Sequence, residues 1–150
     1  MRILIFIGLL LTVFVSNQTF AQEGEGKLHL VQKIHIGEMG KSDEAERFQL
    51  LLEEQLEKNG FTVVSDADKA DAILAGVLSL RVFDDISIAR VTVYLKNPDG
   101  KKIWGGDFQP QSVFVERVLD TVKLRAEDIA GKLRKDWSKS AKKAGIKVDK

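Results

Sequence analysis

The chain has 150 residues, with 23 Lys/Arg, 22 Asp/Glu, two histidines and no cysteine. The lack of cysteine excludes disulfide bridges, thiolate metal sites and thiol catalysis, so a folded core must be stabilised by packing. A formal net charge of +1 is not typical of a nucleic-acid-binding protein, and we expect no nucleic-acid partner.

The first 21 residues predict an export signal. Met1-Arg2 gives a positive start, residues 3–15 form an apolar run, and a polar stretch then ends in small residues at Thr19 and Ala21. The run of 13 residues is shorter than the roughly 20 that a membrane-spanning helix needs. A bacterial lipoprotein would need a cysteine just after the cut. We therefore expect cleavage between Ala21 and Gln22 and a periplasmic or secreted product that does not span the membrane.

The mature chain begins with a predicted leader, a strand and a helix. Residues 22–29 show no apolar periodicity, so we expect a flexible segment there. Apolar residues within Leu30–Ile36 predict the first strand. Asp43 with Glu46 three residues later has the form of a capping box and predicts the helix start. Gly60 is the expected left-handed residue at the helix end.

Four further strands are expected downstream. Phe61–Val64 predicts the second strand. Ala72–Phe83 has apolar residues at both odd and even positions, which is typical of a central strand covered on both faces. Ser87–Leu95 alternates between apolar and polar residues and predicts a strand with one buried face. The sequence Asn97-Pro98-Asp99-Gly100 predicts a turn, because proline presets φ and glycine accepts a positive φ. A hairpin then leads into a last strand at Lys101–Phe108.

One long helical stripe closes the chain, from about Ser112 to Ala144, broken only by Gly131. The element order is therefore β-α-β-β-β-β-α. We expect an α/β (α+β) fold with a single mixed sheet and a long carboxyl-terminal helix packed on it. The predicted domain covers residues 30–144, and residues 145–150 form a basic tail.

Charge is unevenly distributed along the chain. Residues 132–150 contain eight Lys/Arg and two Asp/Glu, a net charge of +6, whereas residues 22–131 have a net charge of −6. At about 100° per residue, five lysines lie opposite the apolar stripe of the last helix. They form a candidate surface for an envelope protein or an anionic envelope surface: Lys132, Lys135, Lys139, Lys142 and Lys143. Plain solvation also explains lysines near a helix carboxyl end, and both interpretations stay open.

Other candidates for chemistry do not form a recognisable site. On one extended strand His29 and His35 would lie roughly 20 Å apart, too far to share a metal ion. The adjacent pair Asp84-Asp85 fits a turn better than an acid/base pair. An incomplete calcium-loop pattern, without the glycine and distal glutamate of an EF-hand, is formed by Asp66, Asp68 and Asp71. We expect no catalytic, metal-ligating or cofactor-binding residue, and no enzyme.

Three segments carry a resemblance to known proteins: Gly60–Val64, Ala70–Gly76 and Val91–Trp104. In this order and spacing they resemble the small α/β domain of TolB-like envelope proteins, of the curli-secretion-channel family and of penicillin-binding-protein activator lipoproteins. The likeness covers about Leu30–Phe108 and, more loosely, the closing helix. It implies an exported, non-enzymatic binding or assembly module of the bacterial cell envelope, with no catalytic residues to carry over.

The alternative function is a small periplasmic hydrolase with an unrecognised carboxylate site. Carboxylates that converge in a deep pocket would favour the hydrolase. A shallow surface with a sheet edge or a basic patch would favour the binding module.

The export signal makes a direct prediction about the mature protein. Expression in an exporting bacterium should give a soluble product whose intact mass corresponds to a chain starting at Gln22, because the cut follows a small residue and the apolar run is short. Recovery of the full-length chain in the membrane fraction would contradict both the processing and the localisation.

Overall fold

A computed structural model describes residues 25–83, 86–109 and 118–148. They form one five-stranded mixed sheet and two α-helices, in the order β1 (Lys33–Ile36), α1 (Asp43–Lys58), β2 (Thr62–Val63), β3 (Ala72–Phe83), β4 (Ile86–Lys96), β5 (Lys102–Phe108) and α2 (Val118–Lys143). The strand order is β2-β1-β3-β4-β5, with parallel pairs around β1 and antiparallel pairs around β4. The predicted fold class and element order are confirmed.

The core lies between the sheet and the two helices, which pack side by side on one face of it. The predicted alternation in β4 is confirmed: Val91, Val93 and Leu95 are buried, while Thr92 is exposed on the other face. The helices contribute their apolar stripes to this core, with the fully buried residues Phe48, Leu52, Leu56, Ile129 and Leu133. The opposite side of the sheet is called the open face below.

Strand β3 departs from its prediction. Its apolar character on both parities predicts cover on both faces, but from Val77 onward every second residue is exposed on the open face. The chain after β1 pairs with β3 only as far as Leu78, whose N–H donates to the Met39 carbonyl at 2.9 Å. Within the described residues, 79–83 and 86–90 therefore pair only with each other and project as a two-stranded ribbon.

Glycine permits a close strand contact at the base of this ribbon. A Cβ placed on Gly76 would lie 2.2 Å from the Thr92 carbonyl oxygen of β4, closer than any side chain tolerates. The backbones of β3 and β4 thus approach each other where the ribbon leaves the sheet.

The start of the described chain is more ordered than the sequence predicts. Glu25–Leu30 forms a 3₁₀ helix, although residues 22–29 have the composition of a flexible leader. The reason is that Leu28 and Val31 are buried in the core, and this short helix packs against α2. His29 therefore lies in the 3₁₀ helix rather than on an extended strand, whereas His35 lies on β1.

The ends of α1 correct one prediction and confirm another. The N-cap is Ser42, whose hydroxyl accepts a hydrogen bond from the Ala45 N–H at 3.2 Å, so the capping box from Asp43 to Glu46 is wrong by one residue. Ser42 rather than Asp43 is the N-cap because its hydroxyl reaches the backbone N–H of Ala45, three residues later. Gly60 has the expected left-handed conformation, with φ +85°.

Two predicted features fall outside the described residues: the turn at Asp84-Asp85 and the start of the last helix near Ser112. Residues 1–21, the predicted signal, also lie outside them. In the described ranges, no helix combines the length and the apolar content needed to cross a bilayer.

The turn between β4 and β5 has the predicted form. The Gly100 N–H donates to the Asn97 carbonyl at 2.9 Å, and the Asn97 Oδ1 accepts from the Lys101 N–H at 2.8 Å. Gly100 has φ +77°, and a Cβ built there would meet nothing within 4 Å. Only backbone strain would therefore oppose a side chain at this position.

We expect Gly100→Val to lower the free energy of unfolding by about 1–3 kcal/mol, because a β-branched residue is strained at positive φ. Urea denaturation measures this. Gly131→Ala is the matched control: its Cβ would also meet nothing within 4 Å, but it lies in α2 and should raise stability by about 1 kcal/mol. Equal stability of the Gly100→Val protein and the parent would contradict this description of the turn.

Candidate functional site

The five lysines singled out by the sequence are all exposed along α2, opposite its buried stripe. The structure divides them into two sets. Lys132, Lys139 and Lys143 border an open groove of about 490 Å³, whose other residues include Leu28 and Trp104. The remaining two, Lys135 and Lys142, do not line this groove.

Asp136 is the polar centre of the groove. Its Oδ2 accepts hydrogen bonds from Lys132 Nζ at 2.7 Å and from the Trp104 Nε1–H at 3.1 Å. Lys139 Nζ lies 3.6 Å from the other carboxylate oxygen. Because Lys132 and Lys139 lie four residues before and three residues after Asp136, one helix face brings all three together.

The surroundings keep Asp136 ionised. Partial burial raises the pKa of its carboxyl, but hydrogen bonds from Lys132 and Trp104 and the charges of Lys132 and Lys139 outweigh this. The net result is a pKa below the ordinary value of 3.8. The carboxylate is therefore negative at neutral pH and fixes the direction of two lysine side chains.

The groove nevertheless has an excess of positive charge. Three lysines border it against the single carboxylate of Asp136, which leaves a net charge of +2. Lys143 forms no ion pair with any residue in the described ranges. An anion in the groove would thus meet at least one ammonium group whose charge is not already balanced.

Three contacts position this helix face on the rest of the fold. The Trp137 Nε1–H donates to the Val31 carbonyl at 2.9 Å, a buried hydrogen bond. The Ser140 hydroxyl accepts from the His29 N–H at 3.2 Å and lies 3.1 Å from His29 Nδ1. With the Trp104–Asp136 contact, they hold consecutive turns of α2 against β5 and the 3₁₀ helix, so the groove has fixed walls.

The same geometry bears on catalysis. Asp136 is a weak base because its pKa is lowered, and an ionised carboxylate cannot act as a general acid. The pair His29–Ser140 has the elements of a nucleophile and a base, but Ser140 is buried and its oxygen already contacts two groups of His29. In the described part of the chain, no three His, Cys, Asp or Glu side chains gather as a candidate metal site.

The carboxylates that resemble part of a calcium loop have structural roles. Asp71 Oδ2 accepts the backbone N–H groups of Gln32 and Lys33 at 2.9 and 2.7 Å, and so joins the start of β3 to β1. Asp66 caps a short 3₁₀ helix by accepting the Asp68 N–H at 3.0 Å. The Asp84-Asp85 pair lies outside the described residues.

Sequence reasoning found the lysines but missed Asp136, Trp104 and Ser140. A signal for Asp136 was present, since its spacing from Lys132 is that of a helical ion pair. No local pattern points to Trp104 or to the His29–Ser140 contact, because these partners are 32 and 111 residues apart in sequence.

No family model matches the chain, and no curated protein matches it. Among solved structures, the chain is similar to two structures of the PelC dodecamer from Paraburkholderia phytofirmans, one of them a point variant. Identity is 13% in both cases, coverage is 69% of this chain and 87–88% of PelC, and the TM-scores are 0.52 and 0.51. Lipoprotein GNA1162 from Neisseria meningitidis matches at 10% identity over 68% of this chain and 96% of its own, with a TM-score of 0.44.

The likeness to PelC establishes a shared fold. At this identity it does not carry a function, and the resemblance to TolB-like, curli-channel and activator proteins stays a prediction.

The environment of Asp136 makes a prediction about acid stability. A lowered pKa in the folded state stabilises the protein above the unfolded value, and this contribution disappears as the pH falls through the folded value. Asp136→Asn should therefore lower the free energy of unfolding by about 1–2 kcal/mol at pH 7. The difference from the parent should shrink once the pH is below the ordinary value of 3.8.

Urea denaturation at pH 7 and at acid pH measures both effects. Glu127→Gln is the matched control, because it removes one exposed carboxylate from the same helix without an ion pair in the described ranges. A difference between parent and Asp136→Asn that stayed constant with pH would contradict the account of this carboxylate.

Proposed function

We propose that this protein is an exported, non-enzymatic module of the bacterial cell envelope that holds an anionic envelope surface against the basic face of α2. The observation that carries the proposal is the groove itself, in which Lys132, Lys139 and Lys143 surround one carboxylate with a net charge of +2. The predicted export signal supports the location.

The position of the lysines suits a surface better than a small buried ligand. Each is exposed, and the groove they border is open to solvent. A lysine near an anionic membrane contributes about 1 kcal/mol, so three together give useful attraction without a deep pocket. Screening limits this attraction to about 8 Å at physiological salt, which requires the helix face to lie directly on the surface.

The fixed side chains at the groove favour binding over hydrolysis. Asp136 holds two of the three lysines in place, and its lowered pKa suits a permanent counter-charge. Ser140 and His29 hold the 3₁₀ helix against α2. These roles leave neither pair free for the acid/base exchange that the alternative hydrolase requires.

We also propose that the module acts as an assembly of many copies. The PelC structures support this, because they are dodecamers of a protein with a similar fold. An assembly of this kind would repeat the basic helix face many times and strengthen a weak contact with a surface by multivalency.

Sedimentation with anionic vesicles tests the proposal. At low salt, the purified protein should bind vesicles that contain phosphatidylglycerol and not vesicles of phosphatidylcholine alone. The triple variant Lys132→Gln, Lys139→Gln, Lys143→Gln should bind about tenfold less tightly or worse, because three charges next to the surface are lost.

A second triple variant is the matched control: Lys33→Gln, Lys41→Gln and Lys69→Gln remove the same charge from exposed lysines outside α2. It should bind almost as tightly as the parent. If both triple variants bind equally well, or equally badly, the helix face is only a solvated surface and the proposed function is wrong.

A further inference from the structure

A second surface lies on the open face of the sheet, where β3 and β4 continue into the ribbon. Three large apolar side chains are exposed there, Val77 at 61%, Phe83 at 55% and Ile88 at 37%. They line one groove of about 460 Å³ together with Arg81. Phe83 and Ile88 lie at the Arg81 end of this groove, whereas Val77 lies at the other end, beyond Ser79 and Arg90. Adjacent exposed apolar side chains with a polar rim are typical of a binding surface.

Two arginines line this groove, and only one of them forms an ion pair within the described residues. Arg90, which also lines it, is neutralised by Asp107 of β5, with Nε 3.0 and 3.1 Å from the two carboxylate oxygens, and Thr92 Oγ1 donates to the same carboxylate at 3.0 Å. These contacts, the hydrogen bond from Arg90 foremost, lower the pKa of Asp107. Arg81 has no ion pair within the described ranges. The groove therefore offers two adjacent apolar side chains, Phe83 and Ile88, beside one positive charge that no described residue balances.

A complementary surface lies on the outer side of α1. Leu50 is 68% exposed, and Glu46 and Glu53 lie four residues before and three residues after it. The three side chains share one helix face and border a second groove, of about 420 Å³. Neither glutamate forms an ion pair with any residue in the described part of the chain. This surface thus presents one apolar side chain between two carboxylates about 10.5 Å apart along the helix axis.

We propose that the outer side of α1 in one copy of the protein docks on the open face of the sheet in a second copy. Leu50 packs against Phe83 and Ile88, which lie beside Arg81 on the ribbon, and a carboxylate of Glu46 or Glu53 pairs with Arg81. A second copy fits because the chain carries both halves of the match: apolar groups complement apolar groups, and the carboxylates complement the guanidinium. A helix laid on a sheet face that no described residue covers is also a common packing layer in proteins.

The proposed contact joins two different surfaces, so it is heterologous. Each copy uses α1 toward one neighbour and its open face toward another, and the contacts repeat until they close a ring or continue as a filament. This inference does not rest on the basic face of α2, which takes no part in it.

Charge reversal gives a sharp test. The purified protein should form oligomers larger than a dimer, by native mass spectrometry and light scattering, over a range of concentrations. Arg81→Glu should weaken association by about tenfold or more, and so should the pair Glu46→Arg, Glu53→Arg, because each places like charges opposite one another. All three changes in one chain should restore assembly, because the charges are then exchanged rather than lost.

Two controls accompany the charge reversals. Lys147→Glu makes the same change of charge outside both surfaces and should leave association unchanged. Leu50→Ser removes the apolar contact without reversing a charge and should also weaken association. It changes an exposed residue, so the fold should survive, and circular dichroism checks this for every variant.

The outcomes separate this inference from the proposed function. A protein that is monomeric at every concentration overturns the inference. The inference is also overturned if neither Arg81→Glu nor the pair Glu46→Arg, Glu53→Arg weakens association, or if the three changes together do not restore it. Vesicle binding through the α2 lysines is tested separately, by the two triple lysine variants.

Discussion

The attachment of α2 to the sheet decides the direction of the lysine face. Two adjacent residues make two of its polar contacts. Asp136 accepts the Trp104 N–H from β5, and the Trp137 N–H reaches the Val31 carbonyl just before β1. Because successive helical residues point about 100° apart, one short stretch of α2 contacts two distant parts of the chain at once. A rotation of the helix would break both contacts, so the lysine face has one fixed orientation.

The sequence predicts the parts of this fold that depend on local chemistry. The turn at Asn97–Gly100 and the left-handed end of α1 at Gly60 follow from residues that few other conformations suit, and both are present. Features that depend on tertiary contacts were not predictable. The segment before β1 is polar in composition, yet Leu28 is buried because α2 covers it, and no nearby residue indicates that cover. The exposure of β3 beyond Val77 has the same origin, since apolar content alone does not show which strands and helices lie beside it.

In the candidate site, too, the features that depend on local sequence were predictable and those that depend on tertiary contacts were not. A helical projection predicts that the lysines point outward, because only the period of the helix enters that argument. It does not predict that Trp104 forms a wall beside them or that Lys143 borders the groove and Lys135 does not. The carboxylate of Asp136 was within reach of sequence reasoning, through its spacing from Lys132, but its importance depends on the indole N–H that arrives from another strand.

The unequal edges of the sheet limit how copies of this protein can add to one another. At one edge β2 has only two residues, whereas at the other β5 has seven. A symmetric pairing of two β5 strands would use up the longer edge of both copies and stop at two. The short edge offers too few backbone groups to continue a ladder, which is a common protection against fibril growth. The outer edges of β2 and β5 therefore do not support a continuous ladder of copies, and a larger ordered assembly has to use the faces of the sheet or the edges of the ribbon at 79–83 and 86–90, which no other described strand covers.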